Sequence, residues 1–405
     1  MLKRILSCIL ITVMLCAVLV SCGEKKEEPE PDVHALRDYG VEHEPEFGGI
    51  YITATIDYFN SLGFSYGDSV DISFSNGYTM EDIPYYNGYY VDPGQPLLIA
   101  YPGYDYIKAA INFGDDLWDT AGLLTDSQKT EISQGDLWFT AGREAGKELT
   151  EDSTATVVLR EKAKYLDVQN ARDISYSDDR SKFPSDVVFA NFRQFSMGSI
   201  AAGKIYRSAS PCDNQHNRAT YVDAQISQAG VKCILNLCDN PAKMEGYIAK
   251  EDFNSPYFLS LYDEGNIIPL ALNANYTSAE FASKVAGGFR EMTEKEGPYL
   301  VHCTEGKDRT GFVCMLIEAL AGASYREMAD DYMVTYDNYY EITPAKDPEK
   351  YSVILEKSFD TMLQFLAGDP GANLEKTDFS VCARNYLLNA GMTDAEIDAF
   401  LGCLS

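Results

Sequence analysis

Two patterns of apolar and polar positions divide the chain. From 46 to 174 the apolar residues alternate or gather in short runs: 68–74 (DSVDISF) has period two, 96–101 is a brief apolar stretch, and 154–159 is β-branched. Asn76-Gly77 and Pro102-Gly103 mark turns between them. This predicts a small β-rich domain. From 175 to 405 the pattern becomes mixed. Stretches 187–193 and 205–211 read as opening strands, and Val222, Ile226 and Ala229 have helical spacing that stops at Gly230, a left-handed terminator. Strands are expected at 231–237, 257–262 and 298–302, with a capping box at 277–280 opening a helix whose face carries Phe281, Val285, Phe289 and Met292. Beyond 302 the chain reads as helical, with Phe312, Met315, Leu316 and Ala319 on one face, capping boxes at 324–327 and 393–396, and an apolar-faced helix at 354–366. Strands alternating with helices predict an α/β fold, with a mostly parallel central sheet flanked by helices, preceded by the β-rich domain.

The N-terminus has its own pattern. Lys3 and Arg4 precede an apolar run at 5–20, short for a membrane span, which needs about 20 residues. The run ends in Leu19-Val20-Ser21-Cys22, which resembles the lipobox of bacterial lipoproteins. That resemblance implies a signal peptide at 1–21, a lipid on Cys22 and a body held outside the cytoplasm on a bacterial cell membrane. Residues 22–45, charged and Pro-containing, then read as a flexible tether.

Composition adds two constraints. A formal charge of −29 over 405 residues argues against nucleic acid as a partner, since that binding rests on cationic contacts to phosphate. Seven cysteines follow Cys22, at 212, 233, 238, 303, 314, 382 and 403. An odd number leaves room for one obligate free thiol, with Cys303 the foremost choice; pairing among the rest cannot be read from the sequence. No spacing suggests a metal site, and no cofactor is expected.

The chemistry concentrates in Val301-His302-Cys303-Thr304-Glu305-Gly306-Lys307-Asp308-Arg309-Thr310-Gly311. Attack on a phosphomonoester needs a thiolate, and a free cysteine, with a pKa of about 8.5, is mostly protonated at neutral pH. Cys303 ends a strand at the mouth of a loop running into a helix N-terminus. There the amides of Thr304, Glu305, Gly306, Lys307, Asp308 and Arg309 can converge on an anion, with the helix dipole adding positive potential. Gly306 and Gly311 suit the tight backbone. Arg309 offers a planar fork to two phosphate oxygens, Thr310 a hydrogen bond to the sulfur, and His302 ring hydrogen bonds that order the loop. Lys307 is either a second cation for extra phosphates or a solvent-facing charge.

His302-Cys303-x-x-Gly306-Lys307-x-Arg309-Thr310-Gly311 resembles the signature loop of cysteine-dependent protein tyrosine phosphatases. With Asn191-Phe192-Arg193 and Tyr206-Arg207-Ser208 upstream, it looks most like the bacterial tyrosine/serine phosphatase family, over roughly 185–405. The resemblance implies a phosphocysteine intermediate, and phosphorylated proteins or peptides as substrates, with phosphoinositides or inositol phosphates as the alternative. It also implies a general acid, for which Asp308 ranks first, with Asp263 and Asp239 as the other candidates. Asn236 stands where that family usually has aspartate. A surface module that binds phosphate without turnover is the rival from another class. Within the first domain, the run from Gly67 to Asp116 resembles the C-terminal β-barrel domain of the S-adenosylmethionine hydrolase and halogenase family, which implies a fold and no activity.

Overall fold

The computed structural model describes residues 34–123 and 153–405. Cys22, the signal-like run and most of the tether lie outside the described residues.

Seven strands close into a barrel: β1 (Ala35–Glu44), β2 (Gly49–Thr55), β3 (Ser69–Phe74), β4 (Thr79–Tyr86), β5 (Pro96–Ile99), β6 (Tyr106–Ile111) and β7 (Thr154–Glu161), paired in the order β1-β2-β6-β5-β4-β3-β7. Closure removes the unpaired edges that would invite another chain to add a strand. Ile50, Ile52, Val70, Ile72, Ile107 and Val157 alternate into the interior around Trp118. The tether reading is corrected at its C-terminal end, because 35–44 is β1. Leu36 and Val41 are buried there between the outward charges of Arg37, Asp38 and Glu42, and those charges masked the strand in the sequence.

The second domain holds a five-stranded sheet of β8 (Arg193–Gln194), β9 (Ile205–Ser208), β10 (Cys233–Asn236), β11 (Ile267–Pro269) and β12 (Tyr299–His302), in the order β11-β10-β12-β9-β8. The first four in that order run parallel and β8 is an antiparallel edge. His302 is in register with Asn236 on one side and Ser208 on the other, so the loop leaving β12 emerges at the centre of the sheet's C-terminal edge. The helix Asp308–Leu320, buried along nearly its whole length, fixes that loop from the far side.

Several sequence expectations change. The 257–262 stretch is not a strand but the core of a helix, Pro256–Asp263: proline occupies its first turn and Phe258 and Leu261, three apart, are buried. Residues 186–189 are a short helix, and of the expected first strand only its last residue, Arg193, pairs, together with Gln194 just beyond it. The helix Ala279–Thr293 is capped by Ser278, whose Oγ accepts from the Phe281 amide, one residue later than the expected box. The 354–366 helix is interrupted by a π-helical turn at Leu355–Asp360.

The helix Leu166–Arg172 joins the two domains. Val168 packs on an outer barrel patch of Tyr86, Leu97, Ile99 and Ala110, where Val353 of the second domain also inserts. The barrel is therefore held against the second domain through its helix Pro348–Ile354, and the 88–93 segment overhangs the C-terminal edge of the five-stranded sheet.

Candidate active site

The signature loop is shaped by where its carbonyls go. The Thr304 carbonyl accepts from the Ser210 amide at 3.0 Å, and that of Glu305 from Tyr339 Oη at 2.6 Å. The Gly306 carbonyl accepts from Asn191 Nδ2 and Arg207 Nη2, each at 3.3 Å. With these oxygens held on the outer side, the amides are left facing inward. Among the described residues none of the amides of Thr304 to Arg309 has an acceptor, which is the arrangement an anion cradle needs. Gly306 is required twice over: its φ is +68°, and a Cβ would lie 2.2 Å from the Ser208 carbonyl oxygen. At Gly311 a Cβ would press on the Tyr332 ring at 2.9 Å.

Beneath the loop lies a buried charge network. Arg193 Nε and Arg207 Nη1 both donate to Asp331, and Arg193 also reaches Asn191 Oδ1. Burial would raise the Asp331 pKa, but the two guanidinium groups hold it far below the carboxylate range. Burial, reinforced by Asp331, pushes neighbouring Glu318 well above that range, so Glu318 is neutral. Two cations against one carboxylate leave a net positive charge under the loop, in a chain whose overall field repels anions. The two upstream motifs thus become the loop's foundation.

Cys303 is 3% exposed and sits at the base of the cradle. His302 is fully buried; its Nδ1 donates to the Cys303 carbonyl at 3.2 Å, and burial drops its pKa to about 4, so the ring is neutral. Thr310 Oγ is buried and makes no hydrogen bond, so the expected bond to sulfur is not formed and its proton is uncommitted. Arg309 Nη1 donates to the Leu272 carbonyl at 3.0 Å and Nη2 to Thr304 Oγ at 3.4 Å, which leaves its remaining N–H groups for a ligand. All seven described cysteines are free, and Cys314 is buried in the core.

The three aspartates separate cleanly. Asp263 ends the helix that precedes β11, so it lies exposed at the N-terminal edge of the sheet, opposite Cys303. Its placement rested on the mistaken strand at 257–262. Asp239 is buried behind the loop, accepting from Asn236 Nδ2 at 3.1 Å, Cys238 Sγ at 3.2 Å and Tyr247 Oη at 3.4 Å. Asp308 alone borders the cavity above the loop. Partial desolvation within the open cavity raises its pKa, but Lys307, Arg172 and Arg309 outweigh that and hold it below the usual range. Lys307 Nζ lies 3.1 Å from Asp308 and 3.7 Å from Glu305, and these neighbours keep it charged against the cost of burial.

The cavity measures about 530 Å³. Its floor is Glu305, Lys307, Asp308 and Arg309; its walls include Tyr276, Phe312 and Tyr340; its roof is the barrel's 88–93 segment with Arg172 at the side. Roof and Arg172 were not anticipated from the sequence, and no local motif marks them. Among the described residues no three His, Cys, Asp or Glu side chains are placed to hold a metal.

Residues 263–402 match the model of the tyrosine phosphatase family. No curated protein matches. Eight solved chains do, among them the core catalytic domain of the PP-IP phosphatase SIW14 from S. cerevisiae in complex with citrate, at 18% identity over 44% of this chain and 95% of that one. Its TM-score of 0.24 makes that superposition too loose to carry weight. The α/β domain has the tyrosine phosphatase-like fold, behind a β-rich domain, and the family match together with the Cys303–Arg309 cradle supports a cysteine-dependent phosphatase.

Proposed function

We propose that the chain hydrolyses phosphomonoesters through a phosphocysteine intermediate, with phosphotyrosine in proteins or peptides as the leading substrate. The observation that carries this is the cradle: six amides without internal acceptors, closing on Cys303 and Arg309. Cys303 thiolate attacks phosphorus while the ester P–O bond breaks, and the departing oxygen takes a proton from the Asp308 carboxyl. Water then attacks the phosphocysteine, giving its proton to Asp308, and the P–S bond breaks to release inorganic phosphate and the thiolate. Asp308 must be protonated for the first step. A bound phosphate dianion offsets Lys307, Arg172 and Arg309, the cations that hold it ionised, so proton uptake accompanies substrate binding. The aromatic walls suit a phenyl ring.

Lys307 favours phosphoinositides or inositol phosphates as the second reading, since its charge faces the same cavity. A lipid anchor at Cys22 would place the enzyme outside the cytoplasm, with loss of membrane association in Cys22→Ala as its test.

The deciding experiment is hydrolysis of p-nitrophenyl phosphate with and without vanadate, beside Cys303→Ser. Turnover that vanadate inhibits and the substitution removes, by at least about 10³-fold as loss of a nucleophile does, supports the enzyme. Equal phosphate release by both forms would reduce the site to a binding module.

A further inference from the structure

A half-buried guanidinium lining a cavity normally has its donors matched, and Arg172 does not. It ends the helix that joins the two domains and borders the catalytic cavity. Among the described residues its one hydrogen bond is Nη1 to Ser358 Oγ, at 2.6 Å, and no carboxylate lies within ion-pair distance. Its charge is felt by Asp92 on the barrel roof and Asp308 on the loop floor, without contact to either. Most of its five N–H donors are therefore left for something inside the cavity.

We infer that Arg172, together with Lys307, forms a second phosphate subsite in the catalytic cavity, so that the preferred substrate is a compact molecule bearing a second phosphate beside the scissile one. The inference rests on the phosphatase reading and, within it, sets the second substrate class, phosphoinositides or inositol phosphates, above phosphotyrosine proteins. A guanidinium fork matches phosphate oxygens in pairs. The barrel roof bounds one side of the cavity, whose volume of about 530 Å³ takes a ring with its phosphates. Arg172 is thus a substrate-binding residue supplied from outside the signature loop, which gives the joining helix and the barrel a part in specificity.

The test compares two substrate pairs on the full chain: an inositol bisphosphate against the matching monophosphate, and a phosphotyrosine peptide with acidic neighbours against one with alanines. For each pair the ratio of kcat/KM values is measured in wild type, Arg172→Ala and Arg172→Lys. Taking the ratio cancels any effect of Arg172 on Asp308, which is common to both members. In Arg172→Ala the bisphosphate preference is expected to fall about tenfold, as for loss of one charge-assisted contact, mainly through KM, with partial recovery in Arg172→Lys. An unchanged ratio overturns the subsite, and a fall confined to the peptide pair overturns the second phosphate in favour of a carboxylate. Should Arg172→Ala not fold, wild-type inhibition by a bisphosphonate against a monophosphonate of the same skeleton decides the matter: about tenfold tighter bisphosphonate binding supports the subsite, and equal binding overturns it. Hydrolysis of none of these substrates, nor of p-nitrophenyl phosphate, would instead sink the phosphatase reading itself.

Discussion

The floor and the roof of the cavity are built by opposite means. On the floor, the carbonyls of Thr304, Glu305 and Gly306 are each held from outside, by Ser210, Tyr339, Asn191 and Arg207, and two of the holders are themselves fixed by buried Asp331, Arg207 directly and Asn191 through Arg193. The roof is a loop between β4 and β5, pinned at its start by a reciprocal amide pair. Gln169 Nε2 donates to Asn87 Oδ1 at 2.7 Å, and the Asn87 amide donates back to Gln169 Oε1 at 3.3 Å. A further tie runs from Asn112 Nδ2 to the Val91 carbonyl. The floor must hold a reacting phosphate in one geometry, whereas the roof only bounds what reaches it. The difference teaches that chemistry and selectivity are supported by separate networks, so damage to one should show as lost stability and kcat and damage to the other as altered KM.

The largest expected effect tests the floor's foundation. Asp331→Ala leaves Arg193 and Arg207 buried without their counter-charge, which should cost about 3–5 kcal/mol in denaturant unfolding and take most of the activity with it. A loss below about 1 kcal/mol, the worth of an exposed pair, would mean that the loop is not held from below.

Next comes a pH dependence. His302 is neutral in the folded chain down to about pH 4, whereas in the unfolded chain it takes up a proton near 6.5. Between those values the unfolded state binds the extra proton, so stability should rise with pH across that window, by about 3 kcal/mol in all, and level off above it. His302→Asn should remove that slope; an undiminished slope in the variant would assign it to other groups.

The same contrast governs what could be read from the chain alone. The floor was legible because its residues are neighbours in sequence: cysteine, glycine, lysine and arginine spaced along one loop carry their chemistry wherever that loop is placed. Even Asn191, Arg193 and Arg207 stood out as short motifs, though their task of holding carbonyls needed the fold. The roof was not legible. Arg172 and the 88–93 segment meet the loop only through the joining helix, and neither differs locally from an ordinary helix end or hairpin connection. Two errors have simple causes. The 257–262 run is apolar enough for a strand, whereas Pro256 in the first turn starts a helix there. At β1, outward charges at Arg37, Asp38 and Glu42 imitated a tether.

Asp308 stands where floor and cavity meet, and Asp308→Asn should sharpen the division between them. If its carboxyl protonates the leaving oxygen, kcat for an alkyl phosphate falls about 10²-fold, while p-nitrophenyl phosphate, whose leaving group departs as a stable anion, loses far less. Fold and melting temperature should change little, because the side chain is more than half exposed. Equal losses on both esters would move the proton donor elsewhere, and buried Asp239 would then have to be reconsidered.

The smallest effect belongs to the roof. Asn87→Ala removes the Oδ1 acceptor for Gln169 Nε2, the shorter bond of the pair, while the backbone N–H at position 87 still donates to Gln169 Oε1, and so takes the best partner from a side chain only 4% exposed. The expected cost is about 1 kcal/mol, the net worth of one such hydrogen bond. The bond from Asn87 Nδ2 to Asp173, at 3.0 Å, is lost as well, but at a more exposed position where water replaces it. Because no loop carbonyl depends on Asn87, kcat for p-nitrophenyl phosphate should stay close to that of wild type, while KM for larger phosphate esters shifts as the 88–93 segment loosens. A fall in kcat comparable to that of Asp331→Ala would show that the two networks are one, and that the barrel helps to hold the reacting loop as well as to cover it.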